Sequence, residues 1–344
     1  MTPGLKILSP GLHTTVQDLG RFGYQNIGVP VSGALDGFGL RLANALVGNP
    51  QGAAAVEILV SGPVLEIAAD SARLALVGTG ASLDIRGQKA RVVAAGQSVT
   101  VQRGDIVQIA PGCQSACCYL AVEGGIPVPH VLGSASTYVR AALGGLNGRA
   151  LQPEDLVPLA IACSPERTEL RAPSPSPAPA DQPTRVVLGP QQNYFRTEAL
   201  ATLLDAEFRV SNDTDRMGMR LDGPVLRHRG GWDIISDAIA TGSIQVPGSG
   251  QAIVLLADHQ TTGGYPKIAT VISADLPKLG RCRPGDPLRF VSVELEAAEE
   301  MCREAEREFA KLVGALKPAL SEIELDIGSL YGENLISGVT TGFE

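Results

Sequence analysis

The run from Ala257 to Thr270, Ala-Asp-His-Gln-Thr-Thr-Gly-Gly-Tyr-Pro-Lys-Ile-Ala-Thr, collects polar, reactive and backbone-permissive residues. It lies between two apolar segments, Ile253 to Leu256 and Ile268 to Ile272, which read as strands, so core anchors the loop at both ends. Gly263 and Gly264 admit φ > 0 and, lacking Cβ, let the backbone approach a ligand closely. Gln260, Thr261, Thr262 and Tyr265 add hydrogen-bonding groups, and Lys267 adds a positive charge on a long stem. No helical face explains that lysine, so the segment reads as a ligand-holding loop. His259 has two readings, a general base or a satisfied structural imidazole, and the second is the commoner fate of a single His.

Two further places carry candidate chemistry. Asp18-Leu19-Gly20-Arg21-Phe22-Gly23 and Asp213-Thr214-Asp215-Arg216-Met217-Gly218 share an Asp-x-x-Arg-x-Gly pattern. Asp and Arg would brace a turn that Gly permits, or Arg21 or Arg216 would clamp a carboxylate or phosphate through two parallel N–H donors. Val31-Ser32-Gly33-Ala34-Leu35-Asp36 precedes a helical pattern. Ser32 and Asp36 there read as a cap with an acidic first turn, or as an anion site with Asp36 as base or orienter.

The elements that must position these groups are mainly β. Short apolar runs follow one another from Val64 to Val122, at Val64 to Ile67, Leu74 to Val77, Val92 to Ala94, Ser98 to Val101, Ile106 to Ile109 and Tyr119 to Val122. Gly, Asp or Pro separates most of them, which predicts a barrel or sandwich. Helices are predicted over Ala34 to Val47 with Ser32 near the cap, Phe195 to Ala206, and Glu294 to Leu316. The Pro-rich stretch 171–184 reads as a linker, because proline removes donors and fixes φ. It divides the chain into a barrel domain over 1–170 and another over 185–316 ending in a helix, with a tail over 317–344. Four landmarks recur in the same order in both halves: an opening strand with Pro10 or Pro190, the Asp-x-x-Arg-x-Gly pattern, a Gly-Pro-Val-like step, and Gly104-Asp105 or Gly285-Asp286. An internal duplication is the expectation.

Bulk properties narrow the function. At 344 residues the chain suits two domains, and 44% hydrophobic residues argue against disorder. A net charge of -8 without a basic cluster argues against nucleic acid. No leader pattern or membrane-length apolar run is visible, so a cytoplasmic location is expected. The six cysteines and four histidines show no zinc-site spacing, and reduced, mostly buried thiols with no metal are expected. There is no phosphate-binding Gly-x-x-x-x-Gly-Lys-Ser/Thr, no Gly-x-Ser-x-Gly elbow and no biotin-acceptor Met-Lys pair.

Several longer segments carry a resemblance: Gly11 to Arg21, Gly28-Val29-Pro30 through Asp36, Asn44 to Asn49, Thr214 to Gly218 and Gln260 to Ala269. On these the chain resembles the family of 5-oxoprolinase C subunits, also called KipA or allophanate hydrolase subunit 2. It is similar as well to the carboxyltransferase domain of urea carboxylase. The resemblance implies two tandem cyclophilin-like β-barrels and a heteromeric complex with a KipI-like protein and a LamB/YcsF-like protein. That complex would open 5-oxoproline to glutamate with ATP, this chain being inactive alone. The urea carboxylase likeness implies instead transfer of a carboxyl group to urea or a similar amide from biotin carried on another chain. A third implied role is a non-enzymatic antagonist that binds KipI. Under either activity Ser32, Gln260, Thr262, Tyr265 and the amides of Gly263 and Gly264 would hold a small amide or lactam, and Lys267 would act catalytically by meeting the negative charge that develops on the ligand's oxygen. Arg216 would neutralise a carboxylate or phosphate, and Asp36 would orient or take a proton.

Overall fold

The structure, a computed structural model, describes residues 2–87, 89–110, 115–173 and 182–319. The expected linker centre, 174–181, most of the expected tail, 320–344, and Cys113 lie outside the described residues. The protein is mainly β, and its first unit packs two antiparallel sheets face to face. A six-stranded sheet runs in the order Leu156–Pro158, Gly4–Ser9, Val64–Ile67, Ile106–Ile109, Ser82–Arg86, Arg91–Ala94. A seven-stranded sheet runs His13–Gln17, Ala55–Leu59, Cys117–Val122, Ser71–Val77, Gln97–Gln102, Leu170–Arg171, Lys317–Pro318.

Period-two alternation assigns each face of the second sheet. Along Cys117–Val122, residues Cys118, Leu120 and Val122 enter the core between the sheets. Cys117, Tyr119 and Ala121 face the other way, onto helix α1 (Gly37–Leu46). Ser71–Val77 divides likewise, with Leu74 and Leu76 inward and the smaller Ala75 and Val77 under the helix. A strand apolar on both faces is therefore one covered on both faces. Each large side chain fully buried in this way contributes roughly 1.5–3 kcal/mol of transfer free energy.

Helix α1 starts later than the apolar pattern suggests. Asp36, not Ser32, is its N-cap, and the carboxylate accepts the Gly39 N–H at 3.0 Å. Ser32 is buried at φ 57, in the left-handed region, and the chain straightens before the helix can begin. Two further helices belong to the second half in sequence: α2 (Thr197–Asp205) and α3 (Leu276–Arg281). The last, α4 (Leu295–Gly314), begins against Ser273–Asp275 and Thr184–Leu188 but ends on the first unit. There Phe309 meets Phe38 edge-on at 5.3 Å, and Arg41 lies 4.0 Å over the Phe309 ring. Lys317–Pro318 then pairs with Leu170–Arg171. A boundary near 316 therefore cuts through packed structure, because the apolar stripe of α4 completes the first unit's core.

The second unit is built on an eight-stranded sheet, in the order Pro287–Leu288, Phe208–Thr214, Gly218–Asp222, Ile253–Leu255, Ser243–Gln245, Lys267–Val271, Thr184–Leu188, Phe290–Ser292. Its outermost strands are separated in sequence by Arg289 alone, so the sheet must curl until its two edges meet. That near-closure makes the second barrel, cored by Val186, Phe208, Leu221, Val254, Ile268 and Phe290.

One repeated landmark is the same in three dimensions. Asp105 accepts the Gln102 N–H on its side chain and donates its own N–H to Gln102 O; Asp286 does both with Arg283. Gly104 and Gly285 take φ 82 and φ 89, and the turns lock onto Ile67 and Val210 through the same two backbone bonds. The Asp-x-x-Arg-x-Gly segments differ. Asp18 to Gly23 follows the strand His13–Gln17, whereas Asp213 to Gly218 makes the bend between two paired strands.

Candidate functional site

Two places gather the chemistry-bearing residues. The first is the seam between the units. Arg216 is buried there with its guanidinium fully committed: Nε donates to Asp258 at 2.8 Å, Nη2 to Gly33 O at 2.6 Å, and Nη1 to Glu57. Burial works against the charge, but Glu57 and Asp258 outweigh it and hold Arg216 protonated. Ser32 Oγ donates to the same Asp258 at 2.6 Å, and Ser32 N donates to Ala257 O at 3.0 Å. Asp36 sits one layer away, accepting from Arg281 at 2.9 Å, while its own N–H donates to Tyr119 OH at 2.8 Å. Tyr119 donates in turn to Glu57 at 2.6 Å. The opening of the 257–270 run thus faces Ser32 and Gly33, and Asp36 faces α3.

The second place is an open cleft of about 450 Å³, mostly on the second barrel. Gln260 and Tyr265 line it beside Asp213, Asp215, Arg220 and Gln245, and Arg140 reaches it from the first unit. Met217, Ile253 and Leu255 give it an apolar wall. Carboxylates, guanidinium groups and carboxamides around such a wall suit a small, flat, polar molecule.

Thr262–Gly263 pairs with Asp237–Ala238 as a two-stranded ribbon, braced by Ile234 N to Gly264 O at 2.8 Å and Ile239 N to Thr261 O at 3.0 Å. Neither Gly263 nor Gly264 has a positive φ; what the lack of Cβ provides at 263 is room. A Cβ there would stand 2.7 Å from Gln245 Nε2 and 2.8 Å from Ile239 Cδ1. Thr262 is exposed on the ribbon. Lys267 lies behind the ribbon, buried, donating to Asp237 at 2.6 Å and to Ala238 O at 2.8 Å. That bond holds the Asp237 carboxyl below its usual range.

The structure therefore brings Ser32 and Arg216 together at Asp258, and Gln260 and Tyr265 together at the cleft. Asp36 and Lys267 stand in separate ion pairs. Glu57, Asp258 and Gln245 escaped sequence reasoning as site residues. The available signal was a polar residue in a buried strand, Glu57 alone in Ala55–Leu59 and Gln245 together with Ser243 in Ser243–Gln245. Among the described residues no group of three or more His, Cys, Asp or Glu is arranged to hold a metal. No helix there is long and apolar enough to cross a membrane.

His259 is fully buried, its Nδ1 donating to Gln260 O at 2.6 Å and its Nε2 accepting from Thr241 Oγ1 at 3.1 Å. Burial pushes its pKa below the ordinary 6.5, against the pull of Gln260 O and Asp258. The unfolded chain therefore takes up this proton first as pH falls. Stability contributed by neutral His259 is full above about pH 6.5 and declines below it. Denaturation midpoints followed from about pH 8 to about pH 5 should fall in wild type and fall less in His259→Gln.

Comparison with known proteins places this geometry in a family. A family model described as carboxyltransferase domain, subdomain A and B, matches residues 27–292. The C subunit of 5-oxoprolinase from Escherichia coli K12 is 36% identical over 317 residues, 91% of this chain and 98% of that protein. Among solved structures, the crystal structure of TTHA0988 superposes with a TM-score of 0.75 at 38% identity, covering 85% of this chain and 56% of that one. The K. lactis urea amidolyase superposes with a TM-score of 0.83 at 28% identity over 95% of this chain. This chain spans about half of the first of those structures and 21% of the second. It belongs to the carboxyltransferase family defined by subdomains A and B.

Proposed function

We propose that this chain is the C subunit of an ATP-dependent 5-oxoprolinase, acting with a KipI-like protein and a LamB/YcsF-like protein in the cytoplasm. The observation that carries the reading is extent: the match covers 98% of a protein named as the C subunit of 5-oxoprolinase. Opening a lactam requires its carbonyl oxygen to meet N–H or O–H donors as negative charge develops there. Gln260, Tyr265 and Arg220 supply such donors around the cleft, and its apolar wall takes the ring methylenes. Asp213 and Asp215 balance Arg140 and Arg220 in number, and Arg140 lies 3.9 Å from Asp215, so the cleft has no excess positive charge for a triphosphate. ATP is accordingly assigned to the complex, and no step here runs through it.

The family model's description favours a second reading, carboxyl transfer to urea or a similar amide from biotin on another chain. A third, an antagonist that only binds a KipI-like protein, predicts complex formation without turnover. ADP release by the reconstituted three-protein mixture, with 5-oxoproline or urea and with or without this chain, separates them. Stimulation by 5-oxoproline that depends on this chain is expected; its absence overturns the reading.

Lys267→Met tests the loop within that assay. Asp237 is half exposed and is rehydrated without its partner, so the fold survives, while the ribbon bearing Gly263 loses its tether. Turnover should fall on the order of tenfold or more, as for other displaced binding groups. Unchanged turnover removes the loop from the mechanism.

A further inference from the structure

Gln245 is unlike the other groups around the cleft. It ends the strand Ser243–Gln245, where the pairing with Lys267–Val271 shifts register between Ile244 and Gln245. The residue is 2% exposed, and its amide nitrogen has no hydrogen-bond partner among the described residues. Buried carboxamides are ordinarily paired, because an unpaired donor forfeits its bond to water and receives nothing in return. The neighbourhood makes space for this one. Gly263 is the residue whose side chain would occupy the amide's position, and the Gln260 amide lies beside it at the exposed rim. An unpaired amide held at the edge of a polar cleft, with a glycine kept clear of it, is the arrangement of a donor whose partner arrives with the ligand.

We infer that Gln245 is a substrate-binding residue whose amide N–H donates to the carbonyl of a small lactam or urea-like ligand in this cleft. The inference rests on the cleft being the substrate site of the proposed function, and it adds the group that reads the amide. Gln245 sets the plane of the ligand's amide, and Gln260 at the rim follows it. A molecule of the same shape without that carbonyl leaves the Gln245 donor unpaired and is rejected.

The test measures binding of 5-oxoproline, urea and proline to the full chain by calorimetry, with the Tm of the ligand-free protein alongside. Proline keeps the ring and carboxylate of 5-oxoproline but lacks its ring carbonyl. Wild type should bind 5-oxoproline or urea saturably and prefer 5-oxoproline to proline. Gln245→Met should weaken binding of the amide ligand at least about tenfold, a loss near 1.4 kcal/mol, and should abolish any preference over proline. Its ligand-free Tm should hold or rise, since an unpaired buried donor has been removed. Should Gln245→Met fail to fold, Gln245→Asn, which withdraws the amide by one methylene, is read instead and the same tenfold loss is required. Undiminished binding in the variant overturns the inference, as does the absence of saturable binding of either amide to wild type. Failure of the proposed function reads differently: 5-oxoproline binds but does not stimulate ADP release by the complex.

Discussion

Replacing Arg216 with Met should destabilise the protein by about 3–5 kcal/mol, the cost of leaving buried charge unpartnered. Glu57 and Asp258 both lose their counter-charge, and neither has water to turn to: their side chains are 0% and 8% exposed. Gly33 O loses its donor as well. Arg216→Lys should recover little, because the three donors of an ammonium group radiate from one atom, whereas Glu57, Asp258 and Gly33 O are met by three separate nitrogens spread over the guanidinium fork. Adding Glu57→Gln and Asp258→Asn to Arg216→Met should restore part of the loss, since those changes remove the stranded charge itself. Denaturation midpoints of the single and combined variants measure this. A loss below about 1 kcal/mol for Arg216→Met would show that the brace is no stronger than a surface ion pair.

Gly280→Ala should open the same seam by steric means. The residue lies in α3, where a Cβ would stand 2.4 Å from Leu35 O and 3.0 Å from Asp36 N. Both atoms are backbone and cannot swing aside as a side-chain tip would. Overpacking of this kind costs typically 1–3 kcal/mol, and more where the backbone must move. The seam also provides a local reporter. Cys117 Sγ donates to Gly280 O at 3.1 Å, and burial keeps that thiol protonated, its pKa well above the ordinary value. Separation of α3 from Leu35 should speed alkylation of Cys117, followed peptide by peptide against the exposed Cys163. An unaltered Cys117 rate together with an unaltered midpoint would mean that the seam accommodates the methyl group.

Strand-forming residues were legible from sequence because their apolar runs are short and well punctuated. Val64–Ile67 and Ile106–Ile109 have the expected ends, and the others differ by one to three residues. The start of the first helix was not legible. Ser32 has the chemistry of a cap, but its left-handed backbone and its bond to Asp258 commit it to the neighbouring barrel. Helix α3 was missed because it is six residues long and begins with Leu-Pro, which offers no periodicity to read.

The site divides in the same way. Gln260 and Tyr265 announced themselves by sitting in a loop too polar for a plain turn. Arg216 had two readings in sequence, and its partner Glu57 stands 159 residues away in an apolar strand. Which reading an arginine follows depends on what the fold carries to it, and no local spacing encodes that. Gln245 was hidden because it ends a three-residue strand, Ser-Ile-Gln, too short to show a period.

The return of the chain from the second barrel to the first has a consequence for synthesis. Lys317–Pro318 supplies the outer strand beside Leu170–Arg171, and α4 covers Phe38 and Leu59 on the first unit. N-terminal units ordinarily finish folding while the rest of the chain is still being made. Here the first unit waits, with an apolar surface open, until residue 318 has emerged from the ribosome. By then every strand of the second barrel has already left the ribosome, so the later-made domain is the first that can be complete.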